Sequence, residues 1–358
     1  MTSAAVQQAM AKAIALAAEQ HPHPNPRVGA VILGPGDREL GAGAHVGPGL
    51  PHAEPLAIAN AGTIPEGATL VVTLEPCDHT GRTPPCTDAI IEAGIERVVV
   101  GALDPDSDVD GAGVERLRAH GIEVEVLDAG SELGAAALDL DPGYFHHRRY
   151  GGPQVILKLA ATLDGQVAAA DGTSQWITGP GIRRRVHHWR SQCDAVMVGA
   201  GTVIADDPLL DVRLEGYSGR QPRAVIVAGS RPLPLTARIW QRDPLVLSSV
   251  PIDIPAGELE VVEGEGTRVQ LASALARLGS LGILRLFVEG GPTIASSLMA
   301  GDQVDIGLLH LGAKFAMGLG RPLFDGAFPT MSAARDVQVL AVDPVGGDLE
   351  VRWVQRRS

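Results

Sequence analysis

The stretch from Thr69 to Cys86, TLVVTLEPCDHTGRTPPC, constrains the fold of this chain more than any other. It begins with a short apolar, β-branched run, which predicts a buried strand. The run ends at Pro76, so Cys77 falls in a turn, and a loop rich in Gly, Thr and Pro leads to Cys86. A helix is predicted directly after that loop. Both cysteines are therefore expected just ahead of helix starts, where the positive end of a helix favours a thiolate.

A histidine and a glutamate stand upstream, in His52-Ala53-Glu54. A His-x-Glu followed by Pro-Cys and a second Cys is the signature of zinc-dependent deaminases. Three ligands, His52, Cys77 and Cys86, would leave the fourth zinc position open for a water, whose pKa the metal lowers to about 7. Glu54 is the predicted catalytic residue, because it could move protons between that water, a ring nitrogen and the leaving amine. Each residue alone is more simply a buried thiol or a surface side chain, but the ordered set favours a metal site.

Eight residues, Asp78 to Pro85, separate the two cysteines, whereas nucleobase deaminases usually have about two there. With this longer loop, the motifs His52-Ala53-Glu54, Glu75-Pro76-Cys77 and Gly81-Arg82-Thr83-Pro84-Pro85-Cys86 closely resemble the bifunctional deaminase–reductase family of riboflavin biosynthesis. The resemblance implies a small-molecule substrate, a phosphorylated ribosylaminopyrimidine. It also implies deaminase substrate contacts from five residues, namely Asn25, His45, His79, Arg82 and Thr83.

The bulk composition excludes several other classes of protein. The net charge of −13 at pH 7 argues against a general binder of nucleic acids or anionic membranes. Three cysteines do not form a disulfide framework, and Cys193 is expected to be a buried apolar residue. No apolar run is long enough to span a bilayer. The N-terminal segment predicts a first helix rather than a signal peptide, so the cytoplasm is the expected location.

Strands alternate with helices along the chain, which predicts an α/β fold, and its 358 residues are enough for two domains. Gly151-Gly152-Pro153 marks the expected boundary. The family resemblance then implies a zinc-dependent pyrimidine deaminase domain at 1–150 and an NADPH-dependent reductase domain at 151–358. The segment His146-His147-Arg148-Arg149 is interpreted as a solvated basic turn before the linker, because a metal site there lacks partners.

Two glycine-containing turns stand out in the second half. Gly199-Ala200-Gly201 follows a predicted strand, but it lacks the third glycine of the dinucleotide-binding fingerprint, so a Rossmann domain is not supported. Glu289-Gly290-Gly291-Pro292-Thr293 opens a predicted helix after a strand, where backbone N–H groups can meet a phosphate. A plain tight turn explains that second motif about equally well.

The second half also resembles the reductase half of the same family, in motifs that occur in family order. They include Leu163-Asp164-Gly165, the run Ser174 to Thr178, and Asp206-Asp207-Pro208. The family likeness implies a cytidine-deaminase-like three-layer domain followed by a dihydrofolate-reductase-like domain. It further implies a homo-oligomer, because family members usually associate through the reductase domain. The implied NADPH-binding residues are Ala160, Trp176, Thr202, Asp206, Gly291, Pro292 and Thr293. The implied reductase substrate contacts are Lys158, Ser174, Arg190, Arg213 and Glu289.

Several departures from the family pattern keep alternatives open. Ala112 stands where many members carry Arg, Ala228-Gly229 replaces an expected acidic strand end, and Thr162 replaces the usual Ser. One alternative is a deaminase of another pterin- or pyrimidine-like metabolite, with a retuned second domain. Another is a non-catalytic NADPH- or nucleotide-binding module in the second half. A nucleic-acid deaminase is disfavoured by the acidic charge and by the lack of a basic, aromatic groove.

Overall fold

The structure is a computed structural model that describes residues 3–81, 83–106, 111–318, 320–326 and 329–355. It divides into two compact units, Met1–Tyr150 and Gly151–Ser358. Within the described residues, no helix combines the length and the apolar character needed to cross a membrane.

The first unit is a five-stranded sheet with helices on both faces. Its strands are β1 (Gly29–Leu33), β2 (Glu39–Ala44), β3 (Thr69–Leu74), β4 (Arg97–Ala102) and β5 (Glu123–Val126). Its helices in the described residues are α1 (Ala4–Ala18), α2 (Ala53–Ala61), α3 (Cys86–Glu92), α4 (Ala112–Ala119), α5 (Glu132–Leu138) and α6 (Pro142–Tyr150).

The sheet order in this unit is β2-β1-β3-β4-β5. Strand β1 is antiparallel to both of its neighbours, while β3, β4 and β5 run parallel. Parallel strands buried on both faces are continuously apolar, and TLVVTL of β3 fits that rule. Helices α1 and α5 pack on one face with Val31 and Val71, whereas α2, α3 and α4 lie on the other. This three-layer arrangement places the carboxyl end of β3 beside the starts of α2 and α3.

In the described residues, the second unit contains thirteen strands, of which nine form one large sheet and four form two small two-stranded sheets. Its strands are β6 (Gln154–Thr162), β7 (Gln166–Ala168), β8 (Ala195–Gly199), β9 (Arg223–Val227), β10 (Leu245–Ser248), β11 (Glu258–Val261), β12 (Gly264–Glu265), β13 (Arg268–Val269), β14 (Arg285–Val288), β15 (Ile306–Gly312), β16 (Arg321–Pro322), β17 (Val337–Val345) and β18 (Asp348–Gln355). Its helices in the described residues are α7 (Pro180–Ser191), α8 (Ala200–Asp206), α9 (Leu271–Ser280) and α10 (Pro292–Ala300).

The strand order in the large sheet is β11-β10-β9-β8-β14-β6-β15-β18-β17. All pairs up to β15 are parallel, and the β17–β18 hairpin is added antiparallel at the edge. One face is packed with apolar residues of α9 and α10, and the other with Ile182 and Val186 of α7. On β18, Trp353 packs so closely on Gly307 of β15 that any Cβ at that glycine would collide with the indole ring.

A buried polar pair also joins these two strands. His310 Nε2 on β15 lies 2.9 Å from Glu350 Oε2 on β18, and both side chains are almost fully buried. The other Glu350 oxygen accepts a hydrogen bond from Arg185 of α7, at 2.7 Å. The last hairpin is therefore tied into the sheet by hydrogen bonds as well as by packing.

Two local expectations from the sequence are wrong. His146-His147-Arg148-Arg149 does not form a turn but lies in α6. In this helix Tyr144 and Phe145 are buried, and the guanidinium groups of Arg148 and Arg149 lie over their rings. Cys77 does not precede a helix, because a loop separates it from α3, which begins at Cys86 itself. Only Cys86 therefore lies at a helix start.

Candidate functional site

A cluster of three metal-binding side chains forms where β3 ends. His52 is the N-cap residue of α2, Cys77 follows β3, and Cys86 is the first residue of α3. Their ligand atoms all lie within 4.8 Å of one another. His52 Nδ1 is 3.2 Å from Cys86 Sγ and 3.7 Å from Cys77 Sγ. One imidazole and two thiols converging on one point form a donor set that suits zinc.

The thiols of the cluster differ in acidity. The pKa of Cys77 is lowered to about 4, first because the Cys86 side chain bonds to it and then because His52 does. The Cys86 backbone N–H also points at Cys77 Sγ, at 3.5 Å. The pKa of Cys86 is raised, by that same bond to Cys77 and by burial. One thiolate is thus already favoured at neutral pH, which is the form that binds a metal.

Glu54 lies in the first turn of α2, two residues after His52, and is 3% exposed. Burial, and then the negative charge of Cys77, raise the pKa of Glu54 to about 7. Its Oε2 atom is buried and has no hydrogen-bond partner among the described residues. A carboxyl group with a near-neutral pKa and a free oxygen can both accept and donate a proton.

Two predicted substrate residues lie beside the cluster. Asn25 Nδ2 is 3.0 Å from His45 Nε2, and His45 Nδ1 is 3.1 Å from the Pro51 carbonyl oxygen. That carbonyl can only accept, so His45 donates from Nδ1 and accepts the Asn25 amide at Nε2. The ring of His45 packs edge-on against His52, with centroids 4.9 Å apart. The orientation of Asn25 is therefore set by a buried, neutral imidazole.

The other predicted deaminase residues lie on the loop between the cysteines. His79 is exposed and Thr83 is half-buried, and His79 is not part of the metal-binding cluster found among the described residues. Arg82 lies outside the described residues.

Sequence reasoning missed the carboxylate that supports this centre. Glu75 is 4% exposed, and its two oxygens accept three backbone N–H groups, from Asp104, Gly111 and Val114, at 3.1 to 3.2 Å. These bonds fasten the start of α4 to the motif that carries Cys77. The Glu-Pro-Cys string was a usable signal for a buried carboxylate, but its partners are distant in sequence.

A cavity of about 1080 Å³ opens within the second unit. It is lined by all seven residues predicted to bind NADPH and by all five predicted to bind the reductase substrate. Parallel strands end at the same edge of a sheet, which is why motifs spread from Lys158 to Thr293 meet here. Arginines not singled out from the sequence also line it, namely Arg183, Arg231, Arg238, Arg268 and Arg321.

Three charged side chains meet in this cavity. Arg190 Nε lies 2.5 Å from Glu289 Oε1, and Lys158 Nζ lies 4.0 Å from Glu289 Oε2. Burial alone would raise the pKa of Glu289, but the two cations hold it below its ordinary value. Burial lowers the pKa of Lys158, and the nearby carboxylate opposes that shift. The group is a compact, partly dehydrated ion cluster.

An exposed aromatic side chain borders the same cavity. Trp176 is 62% exposed, and the Arg183 guanidinium stacks over its ring, 4.5 Å from the centroid. Gly291 is the N-cap residue of α10, and Pro292 occupies its first turn. A flat aromatic face and a glycine-bounded helix start suit an aromatic, phosphorylated ligand.

Two family models match this chain. The cytidine and deoxycytidylate deaminase zinc-binding region matches residues 3–102, and the RibD C-terminal domain matches residues 153–345. The riboflavin biosynthesis protein RibD of Aquifex aeolicus is 38% identical over 339 residues, covering 92% of each chain. The RibD protein of Escherichia coli is 38% identical over 326 residues, covering 85% of this chain and 87% of its own.

Solved structures agree with these matches. Acinetobacter baumannii RibD has a TM-score of 0.87 at 34% identity, covering 98% of this chain and 99% of its own. A diaminohydroxyphosphoribosylaminopyrimidine deaminase/5-amino-6-(5-phosphoribosylamino)uracil reductase from Thermotoga maritima has a TM-score of 0.83 at 34% identity, with the same coverage.

The matches confirm the predicted α/β fold, the enzyme class, and the two cofactors, zinc and NADPH. They do not favour the alternatives, a deaminase of another pterin- or pyrimidine-like metabolite and a non-catalytic nucleotide-binding module. The chain therefore belongs to the RibD family of bifunctional deaminase–reductase enzymes of riboflavin biosynthesis.

Proposed function

We propose that residues 1–150 form the zinc-dependent deaminase domain and residues 151–358 the NADPH-dependent reductase domain. The support is that each unit carries one complete candidate site, the metal-binding cluster in the first and the cavity in the second. The substrate of the first domain is the phosphorylated diamino-ribosylaminopyrimidine that the name of the Thermotoga maritima relative describes. The second domain then reduces the ribosyl side chain of the deaminated product to ribityl.

In the first domain, His52, Cys77 and Cys86 hold the zinc, which when bound supplies Lewis-acid activation of a water. Glu54 would accept a proton from the attacking water at its free Oε2 and donate it to the substrate, since its raised pKa suits both transfers. Asn25, held by His45, orients the pyrimidine through its amide. Arg82, Thr83 and His79 contact the pyrimidine or its phosphate.

In the second domain, NADPH when bound supplies a hydride. The residues that bind this cofactor are Ala160, Trp176, Thr202, Asp206 and the Gly291-Pro292-Thr293 turn. The substrate is contacted by Ser174 and Arg213. Lys158, Arg190 and Glu289 hold the substrate beside it through their charges. Arginine can bind a phosphate through two parallel hydrogen bonds. The arginines that line the cavity therefore attract an anionic substrate despite the net negative charge of the chain.

The observation that carries this proposal is the convergence of His52, Cys77 and Cys86 beside the buried carboxyl of Glu54. The test is a paired assay on zinc-loaded protein supplied with the phosphorylated diaminopyrimidine. Ammonia release and NADPH oxidation are followed in the same cuvette. We expect ammonia first, with NADPH consumption after a lag.

Each other outcome has a definite meaning. Ammonia without NADPH loss would remove the proposed role of the second domain. The absence of both signals in metal-replete protein would reject the substrate, and deamination of another pyrimidine-like metabolite would then be tested.

We also propose a cytoplasmic homo-oligomer. Strand β17 is the edge of the large sheet, and its apolar side chains Val337, Val339, Leu340 and Val342 are 39 to 55% exposed. A long apolar edge strand is a site for pairing with another chain. Light scattering of the purified protein, compared with a Val339→Lys variant, tests association through this edge. A wild-type monomer would reject it.

A further inference from the structure

One arginine of α4 is bonded both to the first residue of the loop between the two cysteines and to the first turn of the helix that follows this loop. Arg116 Nη1 lies 2.5 Å from Asp78 Oδ1, and Arg116 Nη2 lies 2.5 Å from Asp88 Oδ1. Asp78 directly follows Cys77, and Asp88 stands two residues after Cys86. A single planar guanidinium therefore spans the two chain segments that carry the sulfur atoms.

The same two segments also bond to each other. Thr87 donates from Oγ1 to Asp78 Oδ1, at 2.7 Å, and its backbone N–H lies 3.3 Å from the Cys77 carbonyl oxygen. Asp78 Oδ1 thus accepts from both Thr87 and Arg116. This shared oxygen makes the arginine part of the closure of the loop rather than a separate surface ion pair.

Helix α4 is itself held against the metal-binding motif. Glu75, two residues before Cys77, accepts backbone N–H groups at the start of the helix. Gly113 approaches the Pro76 carbonyl so closely that any Cβ at this position would collide with it. The arginine is therefore presented from a helix whose position is fixed relative to Cys77.

The length of the loop explains why a contact that joins its two flanking segments is useful. The entropic cost of bringing two chain ends together rises with loop length, and here eight residues separate the ligands. Arginine can hold two carboxylates with one rigid group, whereas lysine offers a single point charge. The three side chains are 24 to 39% exposed, so solvent weakens the pairs.

We propose that Arg116 is a positioning residue of the zinc centre, which holds Cys77 and Cys86 together by clamping Asp78 and Asp88. This inference rests on the proposed assignment of His52, Cys77 and Cys86 as the zinc ligands. Residues that orient metal ligands typically change metal affinity or activity by about 10- to 100-fold when replaced. Partial exposure puts the expected effect at the lower end of that range.

The test measures zinc release from the zinc-loaded full chain into an excess of a chromophoric chelator. We expect Arg116→Gln to release zinc about tenfold faster than the wild type, and Arg116→Lys to be intermediate. Arg118→Gln is the matched control, because it removes the same charge from the same helix while Arg118 bonds only to the Val124 carbonyl in the described structure. It should stay within about twofold of the wild type.

A second readout separates positioning from general stability. In cobalt-substituted protein, the ligand-field spectrum should change in Arg116→Gln and not in Arg118→Gln, while NADPH oxidation with deaminated substrate stays unchanged in both. If Arg116→Gln does not fold, Asp88→Asn removes half of the clamp and is measured instead. Equal release rates and spectra in a zinc-retaining wild type and the Arg116 variants would overturn the inference. A wild type that retains no zinc would instead reject the proposed function.

Discussion

Arg190 and Glu289 form an ion pair across 99 residues of sequence, with Arg190 Nε 2.5 Å from Glu289 Oε1. The two side chains are 10% and 12% exposed, so the pair is almost entirely withdrawn from water. Lys158 Nζ, 4.0 Å from the second carboxylate oxygen, shares the same anion. One buried carboxylate is therefore shared by two cations in the cavity of the second unit, and the three charged side chains keep a net positive charge.

Replacing this carboxylate should remove the main counter-charge of both cations and leave only the weaker attraction of Asp206 for Lys158. We expect Glu289→Gln to lower the free energy of unfolding of the second unit by about 3 kcal/mol and to abolish most NADPH oxidation. Glu258→Gln is the control, because Glu258 pairs with Arg223 while 64% exposed, and should cost less than about 1 kcal/mol. Urea unfolding measures both, and equal losses would contradict the expectation.

The same carboxylate predicts a dependence of stability on pH. The charges of Arg190 and Lys158 hold the pKa of Glu289 below its ordinary value of 4.5, despite the opposing effect of burial. The folded protein thus binds this proton less readily than the unfolded chain. Its stabilisation is complete above the ordinary pKa and is lost as pH falls through the lowered folded pKa. Glu289→Gln should flatten the acid limb of the urea-midpoint curve, and parallel wild-type and variant curves would exclude this origin.

Glu54 can be tested separately from metal binding. Glu54→Gln keeps the size of the side chain but removes its ability to take up a proton. We expect ammonia release to fall by at least about 100-fold, with the zinc content unchanged by elemental analysis. NADPH oxidation with deaminated substrate serves as an internal control and should be unaffected. A variant that deaminates at the wild-type rate would show that another group moves the proton.

Metal removal should separate the two activities. We expect a chelated protein, and the Cys77→Ala and His52→Ala variants, to lose ammonia release while still oxidising NADPH with deaminated substrate. The physical reason is that the metal-binding cluster and the cavity lie in different compact units. Zinc content and both rates are measured on the same samples. Loss of reduction along with deamination would show that the second unit depends on the metal.

Gly113 provides a test of packing near the metal-binding motif. A Cβ at this position would collide with the Pro76 carbonyl, so the helix or the motif would have to move. We expect Gly113→Ala to destabilise the first unit by about 1–3 kcal/mol. Gly130→Ala is the control, because the added atom would meet only the Asp128 side-chain oxygen, at 3.0 Å. Thermal unfolding of the two variants should differ, and similar midpoints would contradict the expected clash.

The candidate metal ligands could be predicted because their chemistry is local. His52, Cys77 and Cys86 stand in short motifs, and strand and helix patterns bring such motifs to the same edge of a sheet. The support around them could not be predicted in this way. Arg116 lies 38 residues from Asp78 and 28 from Asp88. The sequence of an amphipathic helix does not show which distant carboxylate an arginine on it will pair with.

In the cavity, too, some residues could be predicted from short motifs and others could not. The family resemblance pointed to Lys158, Arg190 and Glu289, but not to Arg231 or Arg268, which also line the cavity. Arg231 follows β9, so its place in the cavity depends on the strand order β9-β8-β14-β6, whereas Arg268 lies on β13 of a separate two-stranded sheet. Parallel strand order is a tertiary property, and hydrophobic periodicity within each strand does not encode it.

Strand β18 follows every other strand of the second unit in sequence, yet it lies beside β15 inside the large sheet. Ribosomes make a chain from its N-terminus, and domains generally fold as units in that order. During synthesis, the sheet of the first unit can be complete while the second still lacks the strand that places Trp353 on Gly307 and Glu350 on His310. The metal-binding cluster of the first unit can therefore form before the sheet that carries the cavity of the second unit is complete.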